Sequence, residues 1–377
     1  MTLTTASRTP APTSTRWAAA LATPVRRALR HPWVESIVRE SAVEDALQVL
    51  HPLLSLSMVR VKVVKILDET HSTKTFVLQP NTLWQGGLAG QFVTVQLEIN
   101  GRREERVYSL SSRPGARRIA ITVKRQIGGL VSSHLHDTVR VGDVFTISQA
   151  MGEFVLPAVL APKILLLSAG SGITPVMAML RDLRARRYQG DIVFLHVCRN
   201  TDDLIFSSAL RTMALESPEL SLLLHQSDSA GRFTTLALQA AVPDLAERST
   251  WLCGPSALMD MVHQYWRDAA IPQPLASERF VAFPILPTTS QGTPVAVQMV
   301  ATGHQFVTEG NAPLLVQAER AGLTPKHGCR IGICRSCQCV KKTGTVENLT
   351  TGALSSAPNE LIRLCISVAR TDIALDL

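Results

Sequence analysis

The chain has 377 residues, a formal net charge of +8 and an apolar fraction of 46%. That length allows about two to four domains, and the composition supports buried cores rather than a disordered polymer. A basic balance could serve polyanions, but no Lys/Arg run is interleaved with aromatics, which make up only 5%, so the pattern argues against nucleic-acid binding.

Residues 1–15 are rich in Thr, Ser and Pro, a composition that predicts disorder. Arg8, Arg16, Arg26, Arg27 and Arg30 are not followed by a long apolar core with a small-residue cleavage site, which argues against a secretory signal. The segment reads as a frayed tail rather than a transit peptide. Trp33, Ile37, Val38, Val43, Ala46, Leu47 and Leu50 recur at helical spacing before Pro52. Residues 1–57 are therefore expected to form a partly helical N-terminal extension packed on the next domain.

From Val59 the pattern changes to alternation. Strands are expected at Val59–Val64, Thr75–Leu78, Phe92–Leu97, Arg106–Leu110, Ile119–Val123 and Val144–Ile147. Short strands separated by turn signals predict an antiparallel barrel over 58–158. Strand–helix alternation follows over 159–275, with strands at Ile164–Ser168, Ile192–Val197, Leu220–Leu224 and Trp251–Cys253, and predicts a parallel α/β sheet. Ile164 to Leu180 is the longest apolar stretch, but its internal Gly, Ser and Pro read as strand, tight loop and helix start rather than a membrane span. The proline-rich stretch from Pro272 to Pro294 shows little periodicity and reads as a linker, assigned to 276–294. A compact third unit occupies 295–377.

Five of the seven cysteines fall between Cys329 and Cys365, which is not a scattered disulfide framework. Clustered thiols suit a metal site in a reducing compartment. Cys329 and Cys334 are separated by four residues, Cys334 and Cys337 by two, and Cys365 follows after 27 more. A plant-type [2Fe–2S] cluster takes three thiolates from one loop and a fourth from a distant segment, which this spacing supplies. Zinc cages favour two short-spaced pairs instead. Gly328 and Gly332 let the loop wrap closely. Cys339 falls outside the spacing and reads as a small core residue.

Arg106-Val107-Tyr108-Ser109 offers a phosphate cation, a stacking ring and a hydroxyl donor suited to a flavin. Gly128-Gly129-Leu130-Val131-Ser132 opens a short helix and makes an anion site, with the Ser132 hydroxyl adding to it. Ser168-Ala169-Gly170-Ser171-Gly172-Ile173-Thr174-Pro175 follows an apolar strand and opens a helix, so its backbone N–H groups can hold a pyrophosphate. Cys253-Gly254-Pro255 ends a later strand. Each motif alone is weak, and their order is much stronger.

In that order the four motifs resemble the ferredoxin–NADP reductase superfamily over about Met58 to Phe283, and Val295 to Leu377 resembles plant-type ferredoxins. The resemblance implies a flavin barrel, a nicotinamide domain and a β-grasp ferredoxin domain, with the strand Leu364–Val368 carrying the last ligand. It places Arg106, Tyr108, Ser109, Gly129 and Ser132 on the flavin. Gly170, Gly172, Thr174 and Cys253 fall on the nicotinamide nucleotide, with Cys253 beside the reacting carbon, and the usual second loop glycine is replaced by Ala169. Met151-Gly152-Glu153-Phe154 resembles members that bind FAD, with FMN as the alternative. Arg199, and with it Arg232, could hold a 2′-phosphate and favours NADPH, whereas Asp202 and Asp203 argue for a ribose and NADH.

The implied activity is an NAD(P)H-dependent reductase passing electrons singly from flavin to cluster to a terminal oxygenase. The loop Cys329 to Cys337 with Thr350-Thr351-Gly352 resembles reductases of membrane fatty-acid desaturases. That implies a cytoplasmic protein touching the inner face of the membrane. A soluble aromatic-ring dioxygenase or alkane hydroxylase is the other acceptor. Lys326, Arg330, Arg335, Lys341 and Lys342 are expected to form a basic docking face near the cluster. A redox sensor with a vestigial reductase half is the competing class, against which the intact order of motifs speaks. A DNA-binding regulator lacks a recognition helix.

Overall fold

The computed structural model describes residues 49, 51–280, 294–308, 312–328, 330, 332, 336–349 and 352–377. The helical spacing over 16–50 thus lies outside the described residues apart from Val49, as do Cys329, Cys334 and Arg335.

Six strands form the first sheet: β1 (Val59–Thr70), β2 (Thr73–Pro80), β3 (Phe92–Ile99), β4 (Arg102–Ser109), β5 (Ile119–Lys124) and β6 (Val144–Ile147). They pair antiparallel in the order β4-β3-β6-β1-β2-β5, and the Leu110–Ile121 bridge joins the two outer strands into a barrel. Alternation explains the core: Val59, Val61 and Val63 of β1 point inward and are buried, while Lys62 between them is exposed. Phe76, Leu78, Val93, Val95, Ile121 and Val123 complete it, with α1 (Leu130–Asp137) contributing Val131 and Leu135. Each fully buried apolar side chain of this size contributes about 1.5–3 kcal/mol.

The second sheet holds β7 (Lys163–Ala169), β8 (Asp191–Cys198), β9 (Leu220–Gln226), β10 (Ser249–Cys253) and β11 (Leu275–Glu278). All run parallel in the order β11-β10-β7-β8-β9. Both faces are covered, so the strands are continuous apolar runs. On one face Ile164, Leu166 and Phe194 pack on α2 (Ile173–Ala185) through Val176, Met177 and Leu180. On the other, Leu165, Leu167, Val193 and Leu195 pack on α5 (Ser256–Asp268) through Met259, Val262 and Trp266. Two further helices, α3 (Ser207–Glu216) and α4 (Thr235–Ala241), lie between β8 and β10 in the chain.

The apolar stretch from Ile164 resolves into β7, a 3-10 turn at Gly170–Gly172 and α2, and no helix among the described residues is long and apolar enough to cross a membrane. The linker expected from Pro272 begins too early. Leu275–Glu278 pairs with β10 from Thr250 to Cys253 and satisfies the backbone groups along the open edge of that strand.

A separate five-stranded sheet follows in the order β13-β12-β19-β14-β17: β12 (Ala296–Met299), β13 (Gln305–Val307), β14 (Gln338–Thr343), β17 (Glu360–Arg363) and β19 (Ile373–Asp376). The strands β15 (Val346–Asn348), β16 (Leu354–Ser355) and β18 (Ser367–Ala369) make a small second sheet, and α6 (Leu314–Arg320) packs Leu314 and Leu315 into the shared core. Two expectations fail here. Leu364–Ile366 is a 3-10 turn rather than a strand, so Cys365 sits on a bend. Lys341 is fully buried instead of facing a partner. Its Nζ donates to the carbonyls of Gly344 at 2.8 Å and Ala357 at 2.7 Å, with Glu360 3.4 Å away, so its charge is satisfied inside.

Phe194 is fully buried in the middle of the parallel sheet. Phe194→Ala is expected to cost about 3–5 kcal/mol, read as a lowered urea midpoint by tryptophan fluorescence.

Candidate functional site

The end of β4 presents the first cluster. Tyr108 and Ser109 lie opposite Val93 and Phe92, and Ser109 is buried. Burial pushes the Tyr108 phenol well above its ordinary range, with the neighbouring Arg106 charge pulling the other way, so the phenol stays protonated. Arg106 donates from Nη1 to the Glu105 carbonyl at 2.6 Å and lies 3.4 Å from Glu104, leaving it half-exposed.

Past β5 the chain turns through Gly128, whose φ is +72°, and Gly129, where a Cβ would meet Ser132 Oγ at 2.6 Å. Gly128 is thus required by its left-handed backbone and Gly129 by close packing. Ser132 sits where the sequence places it but points into the loop: its Oγ accepts from the Gln126 N–H at 3.1 Å and donates to the Gly129 carbonyl at 3.3 Å. The hydroxyl therefore shapes the turn, and the free donors there are backbone N–H groups.

At the C-terminal edge of the parallel sheet two loops meet. Gly172 approaches Cys253 so closely that a Cβ would fall 2.2 Å from the Cys253 carbonyl oxygen and 2.8 Å from the Gly254 nitrogen. Gly254 in turn has Ala169 Cβ at 3.3 Å from its own Cβ position. Thr174 is buried and donates to the Ser171 carbonyl at 3.0 Å, which fixes the turn. The barrel reaches this edge: Arg181 of α2 donates to the Ser111 carbonyl and stacks 5.0 Å over the Phe206 ring. Trp251 donates from its indole to Val155 at 3.1 Å.

Four buried side chains form one row across this edge. The register pairs Glu278 with Cys253, Cys253 with Ser168, and Ser168 with His196. In-register neighbours on parallel strands point to the same face. The row below, Ser277, Leu252, Leu167 and Leu195, is mostly apolar. Burial pushes Glu278 up to about 8, and its Oε2 has no hydrogen-bond partner among the described residues. Burial, and then Glu278, push the Cys253 thiol well above its ordinary range. His196 shares a 2.9 Å hydrogen bond between Nδ1 and Ser168 Oγ, and burial, then the Lys124 charge, push it down to about 3. The row therefore holds no net charge at neutral pH: a protonated acid, a thiol, a hydroxyl and a neutral imidazole.

Arg199 and Arg232 lie just past β8 and after β9 and are exposed. Arg199 pairs through Nε with Asp203 at 3.1 Å. In the C-terminal unit, Cys337 and Cys365 are buried in one core, and the Leu364 N–H donates to the Cys337 carbonyl at 3.1 Å. Gly332, at φ +83°, crosses so near that a Cβ would meet Ile366 Cδ1 at 2.6 Å. Two of the four predicted ligands thus share one core, with Gly332 against the Cys365 turn, and Cys329 and Cys334 lie outside the described residues. Cys339 is a core residue, as expected.

Residues 60–156 match the model of an oxidoreductase FAD-binding domain and residues 166–264 that of an oxidoreductase NAD-binding domain. An NADPH oxidoreductase of Mycobacterium tuberculosis is 33% identical over 341 residues, covering 89% of this chain and 88% of that protein. The chain belongs to this oxidoreductase family. A glycine betaine monooxygenase reductase subunit of Pseudomonas aeruginosa is 31% identical, covering 84% of this chain and 94% of that protein. The solved structure of phthalate dioxygenase reductase, described as modular for electron transfer from pyridine nucleotides to [2Fe–2S], superposes with a TM-score of 0.58 at 25% identity, covering 85% of this chain and 98% of that one.

The chain is therefore an NAD(P)H-dependent flavin oxidoreductase of the ferredoxin–NADP reductase superfamily. Nothing local in the sequence shows that Ser168 and His196 share a row with Cys253 and Glu278. The only local signal was a polar residue closing each of several apolar strands. Glu278 gives this oxidoreductase a testable pH signature. An acid held protonated to about 8 when folded, and ionised from the ordinary carboxylate range when unfolded, withdraws stability as pH rises between those limits. Glu278→Gln should flatten the fall in urea midpoint between about pH 5 and pH 8.

Proposed function

We propose that this oxidoreductase takes a hydride from NADPH, and passes its two electrons singly, by way of FAD and a [2Fe–2S] cluster, to a soluble terminal oxygenase. The observation that carries the reading is the meeting of the Gly170–Gly172 turn with Cys253-Gly254 at the sheet edge, tied to the barrel through Arg181. In this reading 58–158 hold the flavin, and 159–275, extended through Glu278, hold the nicotinamide nucleotide. A β-grasp ferredoxin unit over 295–377 holds the cluster on Cys329, Cys334, Cys337 and Cys365.

The residues fit such groups. Arg106, Tyr108, Ser109 and the N–H groups near Gly128, Gly129 and Ser132 supply a cation, a neutral ring, a hydroxyl and a phosphate cradle. Gly172 and Gly254 let the two loops close against each other and Thr174 fixes the turn after β7, so the backbone N–H groups of Gly170 to Gly172 would hold a pyrophosphate. Arg199 and Arg232 stand where a 2′-phosphate would fall, and the NADPH oxidoreductase relative favours that donor over NADH. A flavin supplies the interconversion between a hydride and single electrons. The protein keeps Glu278 protonated, Cys253 a thiol and Tyr108 a phenol, so these three groups add no negative charge to oppose an incoming hydride.

The acceptor follows from the relatives. Two of those named above serve, by their names, a glycine betaine monooxygenase and a phthalate dioxygenase, which supports an oxygenase rather than the expected membrane desaturase. The resemblance of the cysteine loop to desaturase reductases has no further support.

Replacing Cys337 or Cys365 by Ser is expected to keep NADPH oxidation by ferricyanide within about twofold and to abolish transfer to a Rieske-type oxygenase, since only the exit path is cut. Loss of both activities with flavin still bound would contradict the cluster's place as exit.

A further inference from the structure

Arg199 is an exposed arginine held with unusual care. Its side chain is 70% exposed, yet its Nε sits 3.1 Å from Oδ2 of Asp203, whose side chain is only 8% exposed. Among the described residues neither terminal nitrogen of Arg199 has a partner, so the guanidinium fork faces outward. The backbone is pinned as well: the Asp228 N–H donates to the Arg199 carbonyl at 3.0 Å. Asn200 accepts the Asp203 N–H on Oδ1 at 3.1 Å and donates from Nδ2 to Asp228 at 2.9 Å. Asp203 and Asp228 are thus tied into the scaffold, while Asp202 is exposed.

Asp203 also lies against the barrel. Lys124, at the end of β5, is 3.9 Å from its Oδ1, and His71, in the β1–β2 turn, is 4.0 Å away. That Oδ1 is buried without a hydrogen-bond partner among the described residues. One carboxylate therefore serves two cations, Lys124 and Arg199, from two segments. Its charge is largely spent on them, and what it gives Arg199 is orientation. A guanidinium anchored at Nε and open at both terminal nitrogens matches the fork geometry that binds a phosphate through two parallel hydrogen bonds.

We propose that Asp203 is the positioning residue for NADPH selectivity: it aims Arg199 at the 2′-phosphate and, through Lys124, registers that aim against the barrel. The inference rests on Arg199 receiving the 2′-phosphate. Without Asp203 the long side chain would have to be ordered by the ligand itself, which weakens binding of the phosphate-bearing nucleotide and leaves the nucleotide lacking it unaffected.

The test uses the flavin-loaded full chain with ferricyanide as acceptor. The KM values for NADPH and NADH and the Ki of 2′,5′-ADP are measured for Arg199→Ala, Asp203→Ala, Asp203→Asn and the double Ala variant. Asp203→Ala is expected to raise the NADPH-to-NADH KM ratio and the Ki about tenfold with kcat little changed, Asp203→Asn to recover part of the loss, and the double variant to match Arg199→Ala alone. A misfolded variant would lose NADH turnover too, and Asp203→Asn then carries the comparison. If Arg199→Ala leaves the ratio unmoved, the 2′-phosphate reading of Arg199 falls. If Arg199→Ala moves it but Asp203→Ala does not, or the two losses multiply, the positioning role of Asp203 falls alone.

Discussion

Gly172 runs so close to Cys253 that any side chain there would strike the Cys253 carbonyl oxygen. This contact fixes the relation between the turn after β7 and the end of β10, and with it the whole C-terminal edge of the sheet. Ligands of open α/β sheets bind at that edge, where loops diverge between adjacent strands. The same edge faces the barrel, because Arg181 on α2 binds the Ser111 carbonyl and Trp251 binds Val155. Loss of the Gly172 approach would separate the nucleotide loops and misalign both with the barrel.

Electrostatics at the edge follow from burial rather than from a single charge. Glu278, Cys253, Ser168 and His196 share one row and remain neutral. Fixed positive charge stands instead on Arg106, Lys124 and Arg199, each beside a carboxylate. At the C-terminal unit the expected basic face shrinks: Lys341 is internal, Arg330 is paired with Glu319 at 2.7 Å and Lys342 with Asp376 at 2.9 Å.

The strands were legible because alternation in β1 and continuous apolar runs in β7 and β8 are local signals. Val144–Ile147 was read to the residue. The edge strand β11 was not, since Pro272 and Pro274 precede it and its pairing with β10 is set by distant sequence. Register is also why the Glu278 row escaped notice: no local pattern says that Ser168 faces His196. The cysteine spacing was plain, but the 3-10 turn that carries Cys365 depends on the hydrogen bond from Leu364 to Cys337, a contact across the chain. The bonds of the Ser132 hydroxyl to Gln126 and Gly129 were not legible either, because a hydroxyl near a glycine turn can satisfy the turn as well as a ligand.

The central claim is that hydride chemistry at the sheet edge and single-electron exit at the cysteine quartet reside in one chain. Anaerobic titration with NADPH, followed by flavin absorbance and low-temperature electron paramagnetic resonance, tests it directly. The account predicts uptake of about three electrons per chain, two bleaching the flavin and one giving a reduced-cluster signal that Cys365→Ser abolishes. Uptake that stops at about two electrons, with a bleached flavin and no cluster signal, would contradict it.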